Sequence, residues 1–187
     1  LGTSQATSDA SQFTTQIEQA SSKTEVEAIL TEVNSAIERE EKRLELLDLA
    51  EQAWSGVFYS GESEEGKTVL SELQSLKDTL TNDIAGKTTL SQLQAYESEL
   101  SSKATTAWRN ALKNIVNGIN ENTVSLVRKN SLPYGEFMPK ENAIAYIENT
   151  GWQELRKVKF EEATLEVPVL DVLKRAPTVR EGALVNV

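Results

Sequence analysis

The chain has 187 residues, 39% hydrophobic and 26% charged, and its 19 basic and 29 acidic side chains leave a formal charge of −10. With no Cys and no His, it lacks the means for a disulfide scaffold, a Cys/His zinc site, a cysteine nucleophile or a histidine acid–base. No apolar run approaches the roughly 18 residues of a membrane span, and the length suits one domain, alone or with an appendage.

Leu1 to Ser8 is small and polar and reads as an arm; the opening Leu1, in place of Met, suggests a processed or excised polypeptide. Asp9 to Ala20 follows as a short helix, with Phe13 and Ile17 on one side. The strongest periodic signal runs from Val26 to Phe58. Val26, Leu30, Val33, Ile37, Leu44, Leu47, Trp54 and Phe58 recur in steps of four and three, interrupted only by Glu40 and Glu51. That coiled-coil-like spacing predicts one long helix of about 45–50 Å at 1.5 Å per residue, and Ser22-Lys-Thr-Glu25 has the form of a capping box at its start. Val69, Leu73, Leu76 and Leu80 outline a third helix ending near Gly86. Leu90, Leu93, Leu100, Ala104, Trp108, Ala111, Leu112, Ile115 and Ile119 outline a second long one, which either breaks at Gly118 or runs on through Val124 and Val127.

Residues 9–130 therefore read as an antiparallel helical bundle with two long coiled-coil-like helices. Charge fits this picture. Residues 1–66 carry four basic and fourteen acidic side chains, whereas 103–129 carry five basic and one acidic, so the acidic stretch 25–51 and the basic stretch 103–129 are expected to lie side by side. A weak repeat joins Gly66-Lys-Thr-Val-Leu-Ser-Glu-Leu to Gly86-Lys-Thr-Thr-Leu-Ser-Gln-Leu and reads as a repeated way of starting a helix.

All four prolines fall after residue 132, which places a boundary near Ser131 and makes 131–187 a C-terminal α+β appendage or docking tail. Met138 to Gly151 reads as a short helix with Pro139 in its first turn, and Trp152 to Lys157 as a further turn. Lys157 to Glu161 and Ala163 to Val169 read as strands, the second of edge type because of Pro168. The last twelve residues have apolar content without an evident core of their own.

Gly61-Glu-Ser-Glu-Glu-Gly66-Lys67-Thr68 satisfies G-x-x-x-x-G-K-[ST] between a strand-like Val57–Ser60 and a helix. Over those eight residues the chain resembles the nucleotide-binding loop of the P-loop NTPases. The resemblance implies that loop amides cradle phosphates, Lys67 reaches the outer ones and Thr68 binds Mg²⁺. Against it stand three glutamates, Glu62, Glu64 and Glu65, in a loop meant for polyanions, and the scarcity of strands in the first 130 residues. An acidic surface loop between helices is the preferred reading. The glutamates Glu38, Glu40, Glu41 and Glu45 lack the spacing and turn of a calcium loop and read as a solvated helix face.

The expectation is thus a mainly α, non-enzymatic interaction or assembly subunit. It has a protein partner or self-association, no cofactor, no metal, no nucleic acid and no membrane span. Trp54, Phe58, Tyr59, Trp152, Val167, Val169, Leu184 and Val185 are its candidate contact residues. The alternatives are a nucleotide-binding protein using Gly61, Gly66, Lys67 and Thr68, and a surface-exposed helical binding module.

Overall fold

Helix α1 (Ser4–Gln19) opens five residues earlier than the apolar spacing suggests, because Thr3 caps it by accepting the Ala6 amide. Most of the expected polar arm is therefore helix. The structure, a computed structural model, describes residues 1–55, 64–128 and 135–163, with the side chains of 64–67 set aside. Phe58, Tyr59, Gly61, Val167, Val169, Leu184 and Val185, and all but the first residue of the strand expected over Ala163–Val169, fall outside the described residues.

Helix α2 (Lys23–Trp54) starts as its capping sequence predicts: Ser22 accepts the Glu25 amide, and Glu25 reaches back to the Ser21 amide at 2.7 Å. Helices α3 (Glu64–Ala85) and α4 (Leu90–Gly118) follow, joined by a short turn at Gly86. In that turn Thr89 and Gln92 form a reciprocal capping box. The two Gly-Lys-Thr copies thus differ in structure. Gly86–Thr88 leads into a cap, whereas Gly66–Thr68 lies inside α3, which starts at Glu64.

Cross-helix contacts set the directions. Asp83 of α3 meets Tyr96 and Lys103 of α4, and Glu72 meets Asn114, so α3 and α4 are antiparallel. Arg43 of α2 meets the end of α3, and Lys77 lies over Trp54, so these two are antiparallel as well. Helices α2 and α4 are parallel: Lys42 meets Glu97 and Ala53 meets Trp108. This register sets α2 residues 48–51 against the first residues of the basic stretch and leaves the rest of that stretch beyond it. Lys103 pairs with Asp83, Arg109 donates to the Thr150 carbonyl and Lys113 pairs with Glu148. The expected side-by-side pairing of 25–51 with 103–129 is replaced by these local contacts.

After α4, whose break at Gly118 is the observed alternative, the chain turns into β1 (Thr123–Arg128), a run rich in β-branched residues. It forms the centre of a three-stranded antiparallel sheet ordered β2-β1-β3, with β2 (Glu136–Pro139) and β3 (Val158–Glu162) at its edges. Gly135 leads into β2 against β1 so closely that a Cβ there would run into Ser125 Oγ and the Leu126 carbonyl. Helices α5 (Lys140–Glu148) and α6 (Trp152–Leu155) connect β2 to β3, and Pro139 stands at the N-cap of α5. One buried cluster runs from Leu46 and Ala50 of α2 through α3 and α4 to Leu126, Ile147, Trp152 and Phe160, so bundle and sheet share a core.

Helix α4 buries the row that hydrophobicity favours, from Leu93 to Ile115, but α2 does not. On α2, Leu46, Ala50 and Ala53 are buried, together with Glu40 and Arg43, while Leu30, Ile37 and Leu44 are 50%, 40% and 37% exposed. Half of the expected seam (Val26, Val33, Leu47, Trp54) faces inward. Leu30, Ile37 and Leu44 are displaced by one residue, their inward places taken by Ile29, Ala36 and Arg43, and Phe58 lies outside the described residues. No residue of α1 is buried, and none of α2 before Glu40. Together these segments make a two-helix hairpin that runs on past the end of α3.

Candidate functional site

The hairpin is fastened to the bundle by one polar node. Arg43, 6% exposed, and Glu40, 1% exposed, stand three residues apart and so on one face of α2. Arg43 Nε donates to both Glu40 oxygens, at 3.1 and 2.9 Å. The Arg43 guanidinium also donates to the Ile84 carbonyl, which accepts the Lys87 amide as well, and at 2.7 Å to the Lys87 carbonyl in the turn after α3. From the other side, the Thr3 hydroxyl donates to Glu40 Oε1 at 2.7 Å and Arg39 Nε to Glu40 Oε2 at 3.3 Å. Arg39 also pairs with Asp9 of α1. One ion pair therefore joins the cap of α1, the middle of α2 and the end of α3.

The electrostatics follow from these contacts. Burial works to raise the Glu40 carboxyl, but the hydrogen bonds from Thr3, Arg43 and Arg39 outweigh it and hold the group below its ordinary range. Burial also opposes ionisation of Asp9, and Gln5 and Arg39 overcome it in the same direction. Every member of the node is held by protein partners, which fits a clasp better than a reactive centre.

A second cluster joins α3 to α4. Asp83 accepts from Lys103 Nζ and from the Tyr96 hydroxyl, each at 2.6 Å, and these bonds, Lys103 first, keep its carboxyl low. Burial and then the neighbouring Asp83 push the Tyr96 hydroxyl well above its ordinary value, so it stays protonated and serves as a fixed donor to Asp83. Glu72 behaves in the opposite sense to Asp83. Burial raises its carboxyl against a hydrogen bond from Asn114, and its Oε2 has no partner.

The hairpin carries the most open apolar surface. Leu30, Ile37 and Leu44 recur at seven-residue intervals on the exposed side of α2. Beside them, between α1 and α2, lies a groove of about 710 Å³ lined by Leu1, Ala6, Ala10, Phe13, Val33 and Ile37, with Glu41 at its edge. Surface leucines scattered singly need no explanation; a periodic row that continues a groove is a different matter.

The residues singled out by sequence are distributed as follows. Trp152 is buried on α4, its amide donating to Thr105 Oγ1 and its Nε1 to Ser101 Oγ, both at 3.3 Å, so its indole serves the interior. Trp54 is half-buried at the end of α2 with Lys77 Nζ 4.5 Å from its ring centroid. Gly66 and Lys67 belong to the first turns of α3, Thr68 follows them, and the loop that would complete a phosphate cradle lies outside the described residues. Among the described residues no group of three carboxylates is placed to share a metal ion, and no helix is long and apolar enough to cross a membrane. Sequence reasoning named none of Leu30, Ile37 or Leu44 as contact residues. Their heptad spacing was visible, but it pointed inward. No protein-family model matches the chain, and neither a curated protein nor a solved structure is similar to it.

Proposed function

We propose that the chain is a non-enzymatic interaction or assembly subunit, in which the bundle and sheet form a rigid base and the α1–α2 hairpin is the docking arm. The observation that carries this reading is the exposed row Leu30, Ile37 and Leu44 on a helix whose other end, from Leu46 to Ala53, packs into the core. Leaving these three side chains 37–50% exposed forgoes roughly half of the 1.5–3 kcal/mol that full burial of each would contribute, and a partner supplies that burial. The node at Glu40 and Arg43 supports it further, since it holds the hairpin in one position and so preorganises the face. The composition is consistent with this role: a chain without His or Cys lacks the commonest general acid–base and the thiol nucleophile.

The test is the mass of the intact assembly purified from the native source, for the wild-type chain and for a Leu30→Ser/Ile37→Ser/Leu44→Ser variant. The wild type is expected in a complex of fixed stoichiometry, and the variant free of it with an unchanged circular-dichroism melt. A wild-type chain that is monomeric at both low and high salt contradicts the proposal, as does a variant that keeps its partner.

A further inference from the structure

We infer that the hairpin face takes a basic amphipathic helix; this deepens the docking reading above and rests on it. The inference comes from what borders the apolar row. Glu27, Asn34, Glu41 and Asp48 stand three or four residues from Leu30, Ile37 and Leu44, so they form a parallel row on the same face of α2. All four are exposed, and three are carboxylates. The other border is the α1–α2 groove. The face is therefore a trough, with an apolar floor, a wall of α1 on one side and a line of negative charge on the other.

An amphipathic helix fits this shape, laying apolar residues spaced three and four apart along a groove of matching period. The charge selects its polar flank. Glu41 has no ion-pair partner among the described residues, and Glu27 has only Lys23 at 3.5 Å in an exposed contact on the same helix. An apolar or acidic partner would strip water from these carboxylates without replacing it, which is unfavourable. Lysine and arginine instead lay their stems along the apolar floor and bring their charged heads to the carboxylates. A second copy of this chain would set the same acidic row against itself. Anionic lipid and nucleic acid are repelled for the same reason.

The experiment titrates three helical peptides of about 28 residues, four heptads each, into the full chain by calorimetry. All carry leucine at the same two heptad positions; their flanking positions are lysine, glutamine or glutamate. The lysine peptide is expected to bind about tenfold or more tighter than the glutamine peptide, to weaken between about 50 and 500 mM salt, and to lose about tenfold against Ile37→Ser. The glutamate peptide is expected not to bind. A Glu41→Gln/Asp48→Asn variant, altered only at exposed positions, is expected to narrow the gap between the lysine and glutamine peptides; it carries the test if Ile37→Ser melts early.

Equal binding of the lysine and glutamine peptides overturns the charge assignment while leaving the docking face intact. Lysine-peptide binding that Ile37→Ser does not weaken is diffuse attraction to an acidic chain and overturns the inference, as does the absence of binding by all three peptides. Concentration-dependent dimerisation of the chain that Ile37→Ser abolishes assigns the face to a second copy instead. The native-source complex tests the docking reading separately, so the two fail in distinguishable ways.

Discussion

Glu40 and Arg43 occupy positions on α2 where an apolar pair would pack with less desolvation, and a buried ion pair is weak support for stability as such. What this pair does is fix position, because its remaining hydrogen bonds run to three separate elements: Thr3 ahead of α1, Arg39 on α2, and the carbonyls at and just after the end of α3. Removing one partner leaves the other charge stranded. Glu40→Ala is therefore expected to cost about 3 kcal/mol in urea unfolding, toward the low end for a broken buried pair because Arg43 keeps its carbonyl acceptors. The pH dependence has a definite sign. Glu40, Asp9 and Asp83 are held below their ordinary values of 4.5, 3.8 and 3.8 in the folded chain. Their contribution is complete above those values and is lost as the pH falls through the lowered ones. Glu72 is shifted upward, so its contribution has the opposite sign, being present below 4.5 and lost as the pH rises. With Glu25, which its hydrogen bonds from Ser21 also hold low, four groups against one predict net loss of stability on acidification, with a shallower loss in Glu40→Ala. An acid limb of unchanged slope in that variant would remove Glu40 from the account.

At the scale of elements, the two sides of α2 make opposite predictions. Leu46→Ala is expected to cost about 3 kcal/mol as a large-to-small change in a closed core. Ile37→Ser is expected to stay within about 0.5 kcal/mol, as an exposed change does. The comparison is a pair of thermal or urea melts, and a costly Ile37→Ser would return α2 to the heptad seam that its hydrophobicity suggests. The start of α2 and the end of α3 were legible from sequence, because Ser22, Glu25 and Gly86 act on their own neighbours, whereas the starts of α1 and α3 and the Thr89–Gln92 capping box were not. The buried face of α2 was not. Periodicity places residues on a common face without saying which face meets a neighbour, and here Leu30, Ile37 and Leu44 outweigh Ala36, Arg43 and Ala50 in hydrophobicity while losing to them in burial. The sheet was legible only in part for a related reason. Its central strand comes from Thr123–Arg128, whose valines also continue the spacing of α4, and its pairing with β2 and β3 is non-local.

Across the whole molecule, the charge asymmetry keeps its place in the chain and changes its meaning. The basic side chains of α4 are taken up by Asp83, Thr150 and Glu148, so the carboxylates of the hairpin stay turned outward beside an uncovered apolar row. The central claim is that this face is where a partner docks. Carboxyl footprinting of the free chain and of the complex from its native source tests that most directly. Glu27, Glu41 and Asp48 are expected to lose labelling on complex formation, while Glu141, Glu148 and Glu154, on α5 and α6 away from the hairpin, label as before. Unchanged labelling of the α2 row, with protection on α5 and α6 instead, would contradict it.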